Sequence, residues 1–105
     1  MATTAGVWAK ASSELGIWFP KRNEQVHGTV MDGESVLLDL STGRYYTLNV
    51  VGSTIWDHCT GDRSLEEILA TVCDKFDVPA AQAQDDLTDL MAQLSQEGLI
   101  HIERR

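Results

Sequence analysis

Cys59 directly follows His58, and a thiol beside an imidazole is the pairing that activates a cysteine nucleophile. Adjacent helical positions diverge by about a hundred degrees, however, so two neighbours on a helix do not face each other and this pair is not a dyad. His27, His58 and His101 are spread over an expected strand, a helix end and the C-terminus, with none at metal-ligand spacing. Cys59 and Cys73 are too few and too far apart for a metal site or a disulfide framework. Both fall within expected helices on or near apolar faces and read as reduced, packed thiols. The chain has no glycine loop to cradle a phosphate and no nucleophile elbow. It reads as a protein without catalysis, metal or cofactor.

Two features could bind rather than react. Asp85, Asp86 and Asp89 cluster on the last expected helix. They are either a solvated face, with first-turn acids favoured by the helix dipole by about 0.3–1 kcal/mol each, or a negative rim beside a groove that selects a basic or polar peptide. The second feature is a hairpin, Val36-Leu37-Leu38-Asp39-Leu40, then Ser41-Thr42-Gly43, then Arg44-Tyr45-Tyr46-Thr47-Leu48-Asn49. Glycine at the end of the turn supplies a positive φ cheaply. Such a hairpin leaves an edge of unpaired N–H and C=O groups, which a protein either protects or uses to capture another chain as an added strand.

The elements that position these features follow from periodicity. Val26, Thr29 and Val30 suggest a first strand closed by the turn dipeptide Asp32-Gly33, giving a three-stranded antiparallel meander. Alternation places Val36, Leu38 and Leu40 on one face of the second strand and Tyr46 with Leu48 on one face of the third, with Tyr45 and Thr47 opposite. A first helix runs from about Val50 to Cys59. A second opens on a capping box, Ser64 with Glu67, and carries Leu65, Ile68, Leu69, Val72, Cys73 and Phe76 at helical spacing. Val78-Pro79 ends it, and Pro79 suits the first turn of the next. The third helix, about Ala80 to Gln96, has the stripe Ala83, Leu87, Leu90, Met91 and Leu94 and stops at Gly98. Leu99-Ile100-His101-Ile102 then alternates as a last strand or wing.

The expected fold class is α+β: a winged helix-turn-helix with an N-terminal three-stranded antiparallel sheet followed by three helices. Its core is Leu38, Leu40, Tyr46, Leu48, Ile55, Trp56, Leu69, Leu87 and Leu94. Residues 1–25 form an N-terminal arm, partly disordered or docked, and residues 26–105 the domain. Within the arm, Met1 to Ser13 is small, polar and alanine-rich, Trp8 sits loosely, and Leu15-Gly16-Ile17-Trp18-Phe19-Pro20 docks on the domain or on a neighbouring molecule.

At 105 residues with 43% apolar content this is one domain of ordinary globular composition. No apolar run is long enough to span a bilayer and no basic-then-apolar start marks a secretory signal, so the expected location is cytoplasmic and no membrane partner is expected. A net charge of −8 repels phosphate-rich partners at long range but not neutral or basic peptides.

Taken in order, Leu37-Leu38-Asp39-Leu40, Thr42-Gly43-Arg44-Tyr45-Tyr46, Leu48-Asn49, Gly52, Ile55-Trp56, Ser64-Leu65-Glu66-Glu67-Ile68, Leu94 and Gly98-Leu99 resemble the PqqD family, over residues 34 to 102. These are the peptide chaperones, or RiPP recognition elements, of ribosomal peptide modification pathways. The resemblance implies that a precursor's leader peptide adds as a strand along Arg44, Tyr45, Tyr46, Thr47 and Leu48. It lies against a third-helix wall of Asp86, Asp89, Leu90 and Gln93 while a leader-dependent modifying enzyme or protease acts on the rest of the precursor. A lasso peptide route and a radical-SAM or PQQ-type route are both compatible, as is a monomer or weak homodimer. Two rival classes stand beside this one. An exposed strand and an apolar arm suit a structural or dimerisation module. A winged-helix DNA binder would need Arg and Lys on its recognition element, where Lys75 is the only basic residue between Ser64 and Gln96.

Overall fold

Asp32 and Gly33 both adopt positive φ, 55° and 82°, the backbone of the tight turn that matches the twist of two antiparallel strands. They join β2 (Val26–Met31) to β3 (Glu34–Asp39), and the loop ending in Gly43, at φ 75°, joins β3 to β4 (Arg44–Leu48). In the computed structural model, which describes residues 12–105, these strands form a sheet in the order β2-β3-β4, the expected meander. The pairing is antiparallel throughout, with Leu37 opposite both Gly28 and Tyr46, and Ser35 opposite Leu48.

That register fixes the inner face, and it reverses the expectation for β3. Leu37 is fully buried, whereas Val36 and Leu40 are exposed and Leu38 is half-buried. Val36, Leu38 and Leu40 therefore do not form the sheet core. A strand with apolar residues on both faces has its orientation set by its polar neighbours, and one residue of phase moves every side chain to the other side. Here the polar flanks of Leu37 find partners inside. The Ser35 hydroxyl hydrogen-bonds that of Ser53, and Asp39 accepts from the Ser41 hydroxyl at 2.6 Å and its N–H at 2.9 Å. The Ser41 hydroxyl holds the Asp39 carboxyl below its ordinary pKa. Leu48 is buried and Tyr46 half-buried on this same face, as expected.

Three helices cover the inner face: α1 (Val50–Asp57), α2 (Leu65–Lys75) and α3 (Ala80–Gln96). Asn49 caps α1 by accepting from the Gly52 N–H, and the Ser64–Glu67 capping box opens α2 in both directions. Pro79 stands at the N-cap of α3 rather than inside its first turn. Ile55, Trp56, Leu65, Ile68, Val72, Leu87, Met91 and Leu94 meet Leu37 and Leu48 in one core, with Leu69 half-buried at its margin.

The last strand, β5 (Ile100–Arg104), pairs antiparallel with β1 (Trp18–Arg22), so the two ends of the domain close on each other. A 3₁₀ turn, Ser12–Ile17, precedes β1. Leu15 and Pro20 are buried, which places the apolar run Leu15 to Pro20 against its own chain. Residues 1–11, Trp8 among them, lie outside the described residues.

Cys59 and Cys73 are free thiols. Burial pushes the Cys59 thiol from its ordinary value of 9.0 up to about 12. Below pH 9 the thiol is protonated in folded and unfolded chains alike. Above it the unfolded thiol ionises first, so stability falls as pH rises towards 12, by about 4 kcal/mol over the whole interval. Urea unfolding of the parent and of Cys59→Ala between pH 8 and pH 11 should show a flatter alkaline decline in the variant. Parallel curves would contradict it.

Candidate functional site

Which groups of β4 are free follows from the alternation of an antiparallel ladder, in which successive residues direct their N–H and C=O to opposite sides. Leu40 donates to the Gln25 carbonyl at 2.8 Å, so its backbone faces β2, while Asp39 accepts from Gly43 at 2.7 Å on the side of β4. Asp39, Leu37 and Ser35 thus exchange hydrogen bonds with Arg44, Tyr46 and Leu48. The backbone groups of Tyr45 and Thr47 point away from the sheet. β4 is an edge strand, and among the described residues no other strand covers it.

Beside this edge runs a cleft of about 390 Å³, lined by Thr47 and Leu48, by Asn49, Val51, Gly52 and Ile55 of the α1 entry, and by Asp86, Asp89, Leu90 and Gln93 of α3. It continues into a recess of about 330 Å³ that shares Thr47, Leu48, Leu90 and Gln93 and adds Tyr46, Leu94, Gln96, Glu97 and Leu99. The fold thus brings Tyr46, Thr47, Leu48, Asp86, Asp89, Leu90 and Gln93 to one groove. Arg44 and Tyr45 do not line it. Arg44 lies at the hairpin end, 3.6 Å from the Glu97 carboxylate, and Tyr45, 71% exposed, carries its side chain on the opposite face.

Glu97 was not visible as a site residue in the sequence, because its partners are remote in the chain. It accepts from the Tyr46 hydroxyl at 2.9 Å and pairs with Arg44, tying the hairpin to the end of α3. Burial first, and then the Glu97 carboxylate, raises the Tyr46 pKa above its ordinary value, so the phenol remains a donor. Ile55 was legible as a core residue of the first helix, and Val51 packs beside it at the edge of that core. That these two residues also line a cleft depends on where α3 sits.

Asp85, Asp86 and Asp89 are all exposed, so the solvated-face reading fits the three, without the help of the helix dipole. No acid stands in the first turn of α3, where the helix dipole acts, and Asp85 is not part of the groove. Asp86 and Asp89 stand on its rim, exposed, and make the wall of a water-accessible groove negative. Among the described residues no group of three His, Cys, Asp or Glu is placed to hold a metal ion, and no helix is long and apolar enough to cross a membrane.

The sequence profile of the family described as coenzyme PQQ synthesis protein D (PqqD) matches residues 34–100, from β3 to the start of β5. The chain belongs to the PqqD family. Among solved structures, this PqqD-family fold is similar to a chain described as TbiB1 in complex with the TbiA(beta) leader peptide. The TM-score is 0.71 at 33% identity, over 77% of this chain and 94% of that one. It also resembles a lasso peptide synthetase B1 complexed with the leader peptide, at TM-score 0.69 and 20% identity over 79% of this chain and 98% of that one, a likeness of fold. No curated protein sequence matches the chain.

Proposed function

We propose that this PqqD-family protein captures the leader peptide of a ribosomally made precursor as an added strand on β4 and presents the precursor to a modifying enzyme or protease. The observation that carries this reading is an unpaired strand edge at Tyr45 and Thr47 opening on a groove walled by Asp86, Asp89, Leu90 and Gln93. Main-chain hydrogen bonds to such an edge supply affinity, and pockets for alternate side chains supply selectivity. The 33% identical neighbour, solved with a leader peptide, supports the same reading. The protein acts without turnover of its own, in the cytoplasm, as a monomer or weak homodimer. The route it serves is of the lasso type, in which a stand-alone leader-binding protein works beside a separate protease; a radical-SAM enzyme or PQQ-type partner encoded beside it would redirect that assignment.

The exposure of Val36, Leu40 and Tyr45 on the outer face of the sheet favours a second reading, self-association. Sedimentation with and without leader peptide separates the two.

Processing of the precursor by the enzyme encoded beside this protein tests the first reading. At limiting precursor the protein should raise the rate, and by itself convert nothing. An unchanged rate contradicts the proposal.

A further inference from the structure

The groove beside β4 holds one sign of charge. Asp86 and Asp89 stand on its α3 wall and Glu97 at its far end, and neither the cleft nor the recess is lined by a lysine or an arginine. Glu97 is already engaged, by Arg44 at 3.6 Å and by the Tyr46 hydroxyl at 2.9 Å. Asp86 and Asp89 make no ion pair among the described residues. Three positions apart on α3, they are neighbours on one face of the helix, where two like charges repel. The wall goes on through Leu90 and Gln93 to Leu94, so it is acidic at one end and largely apolar beyond.

The groove also has a direction. β4 begins at Arg44, beside Glu97, and ends at Leu48, which shares the cleft with Asp86 and Asp89. The sheet is antiparallel throughout, and antiparallel pairing is slightly the more stable kind. A strand added on Tyr45 and Thr47 therefore runs from the Asp86 end towards the Glu97 end. Every second side chain of such a strand falls on the inner side, level with Tyr46 and Leu48. From Asp86 to Leu94 the helix rises about 12 Å, which four steps of strand at about 3.3 Å each cover. Three alternate side chains thus meet the wall, the first at the two carboxylates and the next two over Leu48, Leu90 and Leu94.

We infer that the segment received here carries a lysine or arginine first and apolar side chains two and four residues after it, with the cation lying between Asp86 and Asp89. Main-chain hydrogen bonds to an open edge do not tell one sequence from another, so the acid pair and the apolar wall supply the choice. This rests on strand addition at β4 and narrows it to one class of leader.

Three synthetic peptides can be titrated into the isotope-labelled protein: Thr-Lys-Thr-Val-Thr-Val-Thr, the same peptide with glutamate for lysine, and the lysine peptide in reverse order. The first should move the Tyr45 and Thr47 amide signals and bind about tenfold more tightly than the glutamate peptide, and more tightly than the reversed one. Asp86→Asn together with Asp89→Asn should bring the lysine and glutamate peptides to within about twofold of each other. Asp85→Asn removes a charge from the same helix outside the groove and should leave the preference unchanged. That control separates the groove from the general attraction of a chain of net charge −8 for cations. The inference is overturned if the glutamate or the reversed peptide binds as tightly as the first, if the double variant keeps the preference, or if Asp85→Asn abolishes it. In each of those cases the Tyr45 and Thr47 signals still move and strand addition at β4 stands. If no peptide moves them at about millimolar concentration, strand addition fails and this inference with it.

Discussion

Trp56→Ala should lower the stability of the domain by about 3–5 kcal/mol, the cost of emptying the place of a large aromatic ring in a core that closes only in part. Trp56 is 3% exposed, and its indole nitrogen lies against Gly28 of β2. It stands next to Ile55, which belongs both to the core and to the groove beside β4. In a domain of this size such a loss lowers the thermal midpoint by on the order of 15 °C. The ring joins sheet to α1, so the damage should reach the groove as well, and leader affinity should fall at temperatures where the fold persists. Thermal melts by circular dichroism read the first effect directly. A variant that melts with the parent would mean that Trp56 does not hold the sheet on its helices.

The helices were legible in the sequence because their signals are local. A capping box at Ser64 and Glu67, a break at Val78-Pro79 and stripes at helical spacing specify α2 and α3 with no knowledge of what packs on them. The Asp32-Gly33 turn was legible for the same reason. The inner face of β3 was not. Val36, Leu37 and Leu38 are all apolar, and the choice between their faces rests on the Ser35–Ser53 hydrogen bond, made with a helix that follows later in the chain. The pairing of β1 with β5 joins the two ends of the domain, and alternation in one strand says nothing about which distant strand it meets. For the candidate site, the strand and the helix wall were legible as separate amphipathic pieces. That Tyr45 and Thr47 are the outward positions depends on the parity of the ladder, which the bonds from Leu40 to Gln25 and from Gly43 to Asp39 set. Glu97 is not legible in the sequence, because its hold on Arg44 and Tyr46 exists only once the hairpin lies across the end of α3.

The same parity sharpens the test of strand addition. Proline at position 45 or at position 47 removes an N–H that points away from the sheet, so the β3–β4 ladder keeps its bonds and the fold should survive. Proline at position 46 removes an N–H given to β3 and should damage the fold instead. Each outward substitution deletes one main-chain hydrogen bond to an added strand and sets a ring against its backbone, which corresponds to at least about a tenfold loss of affinity. Titration of labelled leader peptide into Tyr45→Pro and Thr47→Pro, with circular dichroism on the same samples, is the most direct measurement of whether β4 receives the leader. The account predicts parent-like spectra with binding weakened at least about tenfold in both variants. If both fold and both bind as the parent does, the leader does not add to this strand.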